Sequence, residues 1–219
     1  MQYQKNLKER VKNYKIIFWD FDGVIKESNE VKVEAYGKLF EPFGEKIRNS
    51  IIQQAKMNEG MSRFVKIPLY FEKYLGRTLD KLEIKSYCDQ YSEMTKMAVL
   101  DTNWVDGVME YIKANYDKQN FYIVTGTSQD DIDWIVDKLS IRNMFKGVYG
   151  SPENKKDILL KIINHYHYYK NMFLMIGDSL TDYKAACDTG IDFLLRITNH
   201  NQEMATINCP QLNNFREIL

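Results

Sequence analysis

Short runs of consecutive apolar residues, each closed by small or acidic residues, recur at 16–19, 121–124, 148–149, 173–176 and 193–195. Runs this short, bounded by turn formers, read as strands buried on both faces. Between them the apolar residues fall three and four apart, as at 130–139, 155–166 and 182–189, which is the spacing of one helix face. Strands alternating with helices predict an α/β fold, a doubly wound parallel sheet of Rossmann-like type with helices on both faces. Leu7, Val11 and Tyr14 add a short amphipathic helix ahead of the first strand.

From about residue 28 to 119 the alternation stops. Helical periodicity takes over at 33–40, 47–54, 62–75, 79–97 and 106–115, punctuated by Gly44, Gly60 and Gly76. The expected organisation is therefore a Rossmann-like core of residues 1–27 and 120–219, interrupted by a mainly helical cap insertion of residues 28–119, whose last part is free to rejoin the core.

Composition narrows the partners. Lys plus Arg and Asp plus Glu each number 30, so no global field gathers nucleic acid or an anionic membrane. No apolar run approaches the roughly 20 residues that span a bilayer, and the polar start lacks a signal core, so cytoplasmic residence as a monomer or small homo-oligomer is expected. Cys88, Cys187 and Cys209 are sparse and odd in number, against a disulfide framework or a zinc site, and Cys187 is expected to pack within its helix. His165 and His167, two apart, are poorly spaced for a shared metal.

The chemistry concentrates at the strand ends, where open α/β sheets bind ligands. Behind the run 16–19 stands Asp20-Phe21-Asp22-Gly23. Residues two apart in extended chain point the same way, so both carboxylates can face one ligand, and Gly23 permits a tight turn. Two such charges call for a cation or a shared proton, and a hard Mg²⁺ ion is the economical answer, with one carboxylate as nucleophile and the other as proton carrier. An ordinary turn after a strand is the competing reading. Thr125-Gly126-Thr127-Ser128 closes the next strand with hydroxyls and free N–H groups suited to phosphate. Lys155 and Lys156 open a helix, where the dipole disfavours a cation, so one of them is expected to serve an anion. Gly177-Asp178-Ser179-Leu180-Thr181-Asp182 again releases carboxylates into a turn: Asp178 can complete a metal site with the first pair, and Asp182 is either part of the site or a simple helix-start acid.

Together these segments resemble the haloacid dehalogenase superfamily, whose phosphatase members carry an Asp-x-Asp-Gly strand end, a Thr or Ser strand end, a lysine and a Gly-Asp-x-x-x-Asp strand end in that order. The resemblance implies a Mg²⁺-dependent phosphatase acting on a small phosphorylated metabolite, a sugar phosphate by preference. It implies Asp20 as nucleophile forming an aspartyl-phosphate, and Asp22 as acid and base. Thr125, Gly126 and Lys155 would hold the phosphate, Asp20, Asp178 and the Asp22 carbonyl the metal, and Asp182 the surrounding groups. The insertion point resembles the helical-cap branch of phosphoglycolate phosphatases and β-phosphoglucomutases. Within it Gly60-Met61-Ser62-Arg63 resembles a cap loop that grips substrate through arginine, although the same residues also read as a Ser-capped helix start. A mutase would carry a histidine where this chain has Lys32, which favours hydrolysis over the alternatives of a phosphosugar mutase or a non-catalytic phosphate-binding protein. Tyr70, Phe71, Tyr74, Tyr87 and Tyr91 are either the wall of a sugar site or the insertion's own core.

Overall fold

The computed structural model describes residues 2–219. Its centre is the strand β1 (Ile16–Trp19), whose four residues are all buried. A strand with no exposed face must be covered on both sides, and alternation divides the work. Ile17 and Trp19 enter one apolar cluster, while Ile16 and Phe18 enter another on the opposite face.

Parallel neighbours flank it: β2 (Asn120–Ser128) on one side and β4 (Phe173–Gly177) on the other, with Phe18 in register with Tyr122 and Met175. With β3 (Gly147–Ser151), β5 (Asp192–Arg196) and β6 (Gln211–Leu212), the sheet runs β3-β2-β1-β4-β5-β6. The expected doubly wound α/β fold is thus present. The two-residue β6 was not expected, because a pair reading Gln-Leu has no apolar run to announce it. Successive connections leave β1 in opposite directions, so a crevice opens at its carboxyl end.

Helices cover the sheet. Against the Trp19 face pack α1 (Gln2–Asn13), α6 (Val108–Asn115) and α7 (Gln129–Lys138), contributing Leu7, Val11, Tyr111, Ile112, Ile132 and Ile135. The Phe18 face takes α8 (Lys155–His165) and α9 (Leu180–Thr189). Cys187 lies exposed on α9, correcting the expectation that it packs inside. Among the described residues no helix is long and apolar enough to cross a membrane.

The stretch after β1 folds into α2 (Asn29–Phe40), α3 (Glu45–Met57), α4 (Arg63–Leu75) and α5 (Lys81–Asp101) around a third cluster of their own. Tyr70, Phe71 and Tyr91 are buried there, with Tyr74 and Tyr87 packed alongside. The aromatic stripe therefore serves that core, and of its five members only Tyr91 also borders the crevice. From Val99 onward the apolar side chains pack with the sheet instead.

Candidate active site

Asp20 follows the last residue of β1 and its N–H still donates to the Ile176 carbonyl at 2.9 Å, so this strand-end carboxylate is held by the sheet ladder itself. The residue is 2 % exposed. Lys155, the first residue of α8, places Nζ 3.0 Å from Asp20 Oδ1 and 2.5 Å from Asp182 Oδ1. The anions that justify a lysine at a helix start include the protein's own carboxylates. Lys156 points away, exposed, toward Asp188 at 3.2 Å.

Asp178 comes from the end of β4, and its Oδ2 accepts a hydrogen bond from Asn29 Nδ2 at 2.7 Å. Asp182 Oδ2 accepts from the Ser179 N–H and hydroxyl at 3.2 and 2.5 Å, a capping box that fixes this acid while opening α9. The structure thus brings together Asp20 and Asp178 from two strand ends and Lys155 and Asp182 from two helix starts.

Asp20, Asp178 and Asp182 each present a carboxylate oxygen within 4.8 Å of the others. Burial, then the charge of Asp182, pushes the Asp20 carboxyl up against the opposing pull of Lys155. Asp178 is raised in the same way, by burial first and then by Asp20 and Asp182. For Lys155, burial favours the neutral amine, but Asp182 and Asp20 outweigh it and keep the ammonium charged. Buried, mutually repelling, all-oxygen donors fit a hard divalent cation, which relieves the repulsion that otherwise drives protons onto them. Asp20 Oδ1 has no aligned hydrogen-bond donor despite the nearby ammonium, leaving a lone pair for such an ion.

Asp22 faces a different set. Its Oδ1 accepts from Ser28 Oγ at 2.6 Å, and its Oδ2 from Thr127 Oγ1 at 2.9 Å and from Lys32 Nζ. Burial alone would raise this carboxyl, but the charge and hydrogen bond of Lys32, joined by Ser28 and Thr127, hold it below the usual range. Two neighbouring aspartates are therefore driven apart, one up and one down, by what surrounds them.

Thr125 is buried in the last half of β2, its Oγ1 accepting from the Thr127 N–H at 3.2 Å. Gly126 stands where a Cβ would meet the Gly60 carbonyl at 2.5 Å, so the loop between α3 and α4 sits directly on the Thr125 strand end. A cavity of about 60 Å³ remains, lined by Asp20, Asp22 and Thr125 from the sheet and by Lys32, Glu59 and Lys66 from the helical segment.

Arg63 borders this cavity, but its guanidinium is already engaged. It forms an ion pair at 2.6 Å with Asp131 of α7 and lies over the Tyr91 ring, 4.8 Å from its centroid. Arg63 is thus not a free anion receptor. His165 packs edge-on to Tyr166, away from the site. Sequence reading passed over Ser28, Asn29 and Lys66; it noted Thr127 only as part of the hydroxyl-rich strand end and Lys32 only as a missing histidine. Lys66 carried one signal: it follows Arg63 by three, so both share a helix face.

A family profile described as haloacid dehalogenase-like hydrolase matches residues 16–195. The chain belongs to this family. Solved haloacid dehalogenase-like folds resemble it over nearly their whole length. A predicted phosphoglycolate phosphatase from Haemophilus somnus is 16% identical, covers 94% of this chain and 96% of its own, and superposes with a TM-score of 0.72. CbbY from Rhodobacter sphaeroides, in complex with xylulose-(1,5)bisphosphate, is 14% identical over 92% of this chain and 95% of its own, with a TM-score of 0.73. The hydrolase YfnB from Bacillus subtilis, bound to magnesium, is 18% identical over 94% and 97%, with a TM-score of 0.67. No curated protein matches the sequence.

Proposed function

We propose that this haloacid dehalogenase-like hydrolase is a phosphatase that cleaves a small phosphomonoester, a sugar phosphate by preference, through a phosphoryl group carried on Asp20. The observation that carries the reading is the pairing of Asp20, buried beside Asp178 and Lys155, with Asp22, held two residues on in a separate hydrogen-bonded setting. One carboxylate is placed to attack and the other, two residues on, to handle protons.

In the first step an Asp20 carboxylate oxygen bonds to phosphorus as the ester oxygen departs and takes a proton from Asp22, which must gain that proton as the phosphate binds, since Lys32, Ser28 and Thr127 otherwise hold this carboxyl below the usual range. In the second, water attacks the same phosphorus while Asp22 takes its proton, and the Asp20–phosphorus bond breaks to release inorganic phosphate. Acid–base assistance of this kind is worth about 10²–10⁴-fold. Thr125 Oγ1 and the Gly126 N–H donate to the transferring oxygens, and Lys155, steadied by Asp182, balances their charge. Asp20, Asp178 and the Asp22 carbonyl would hold Mg²⁺, with Asp182 behind them; when bound, the ion neutralises phosphate charge so that an anionic nucleophile can approach. The helices α2 to α5 act as a cap over the crevice, with the Gly60 loop as its contact. The bound magnesium of YfnB and the bisphosphate sugar of CbbY support these choices of metal and substrate class.

The test is phosphate release from sugar phosphates, phosphoglycolate and a chromogenic phosphoester, with Mg²⁺ or chelator, by wild type and Asp20→Asn. Metal-dependent release that falls to background in Asp20→Asn is expected. Release that survives the substitution or the chelator would overturn the mechanism.

A further inference from the structure

Three cations, Lys32, Arg63 and Lys66, border the cavity and a fourth, Lys155, stands beside Asp20; each can be asked what it neutralises. Lys155 serves Asp20 and Asp182. Lys32 serves Asp22 and also donates to Thr127 Oγ1 at 2.6 Å. Arg63 serves Asp131. Lys66 serves nothing: among the described residues no carboxylate pairs with it, no acceptor takes its hydrogen bond, and its ammonium only overlies the Tyr36 ring, 5.1 Å from the centroid.

That is an expensive position for a charge. Lys66 is 5 % exposed. A buried ammonium is tolerated when paired and otherwise tends to lose its proton, and a methionine would fill the same space without that cost. Burial pulls Lys66 down to about 7, with nearby Lys32 adding to the effect and Glu59 and Asp22 opposing it. The neighbouring anions are already committed, Glu59 to His200 and Asn29 and Asp22 to Lys32. An anion that keeps Lys66 charged therefore has to come from outside, through the cavity that Lys66 shares with Asp20.

We propose that Lys66 anchors a second anionic group of the substrate, so that the enzyme selects phosphomonoesters bearing a carboxylate or a further phosphate a short spacer away from the scissile one. The inference rests on the phosphatase reading above and deepens it. The phosphate sits at the Asp20 end, on the strand termini; the second anion sits at the α4 end. The smallness of the cavity keeps the two close together. Arg63, one turn before Lys66, holds α4 to α7 through Asp131 and so fixes where Lys66 stands.

The test compares wild type, Lys66→Met and Lys66→Arg on three phosphoesters in Mg²⁺: 2-phosphoglycolate, glucose 1,6-bisphosphate and p-nitrophenyl phosphate. Lys66→Met is expected to raise KM for an anion-tailed compound by about 10- to 100-fold more than for the neutral-tailed ester, the scale of a lost hydrogen bond to a charged group. Lys66→Arg is expected to recover much of that difference. Which anion-tailed compound suffers identifies the group, carboxylate or phosphate. Equal losses on all three esters, or no wild-type preference for an anionic tail, would overturn the proposal. Failure of wild type to turn over even p-nitrophenyl phosphate would instead count against the phosphatase reading. In that event thermal upshift with the same compounds still decides the anchor: an upshift from 2-phosphoglycolate or the bisphosphate that Lys66→Met loses supports it, and an upshift that persists overturns it.

Discussion

At Gly23 the backbone turns with φ +71°, and a Cβ there would strike Asp178 Oδ2 and crowd Asn29. Two requirements coincide on one residue: a left-handed turn, which costs an L-residue about 1–2 kcal/mol, and close approach of a loop to a carboxylate. Gly23→Ala is therefore expected to displace Asp178 from Asp20. The Mg²⁺-dependent thermal upshift should shrink and kcat/KM should fall about 10²-fold, the cost of a misplacement near 1 Å; unchanged values in both measurements would show that the site tolerates the shift. The residues that spacing along a strand end can reveal, Asp20, Asp22 and Asp178, were readable as candidates because period-two geometry is local. Lys32 and Lys66 were not, since nothing local says that helices far from the sheet will fold back over it.

Among the elements, the loop between α3 and α4 is pinned from the opposite side by His200, which lies beyond β5. Its Nδ1 is 2.6 Å from Glu59 and its Nε2 is 2.7 Å from Glu30 of α2. The hydrogen bond to Glu59, opposed by burial and aided by both carboxylate charges, raises the imidazole above its ordinary value of 6.5. A raised folded-state value means that the stabilisation is complete below the unfolded value and is lost as pH climbs through the folded one. As pH rises from the ordinary value of 6.5 through the raised one, wild type should lose more melting temperature than His200→Gln, and protection of the Glu59–Met61 amides, measured against their intrinsic exchange rates, should fall only in wild type. Parallel pH profiles for the two proteins would dismiss the latch. Sequence periodicity found every helix that packs here, though α2 begins at Asn29 rather than at residue 33. The early start matters, because it sets Asn29 against Asp178.

On the scale of the whole molecule, the helical segment and the sheet layer are tied by a buried ion pair between Arg63 of α4 and Asp131 of α7, with Ser92 Oγ donating to the same carboxylate at 2.5 Å. Removing one member of a buried pair strands the other, at about 3–5 kcal/mol. Arg63→Met should lower unfolding free energy by that amount in urea, and adding Asp131→Asn should restore a good part of it. If the two losses simply add, the pair is not coupled, and Arg63 would return to the role of substrate contact suggested by its motif.

The order of motifs, the α/β alternation and the place of the helical insertion were fixed by local rules, the apolar period, the turn chemistry at strand ends and the spacing of carboxylates, and these can be read along the chain. Which lysine of Lys155-Lys156 turns inward, that Arg63 is spent on Asp131, and that Lys66 is left facing the cavity alone were decided only by tertiary structure. Charge pairing in a buried site depends on which elements meet, and Arg63 meets its partner 68 positions away by sequence number, 131 − 63, only once α4 has packed against α7.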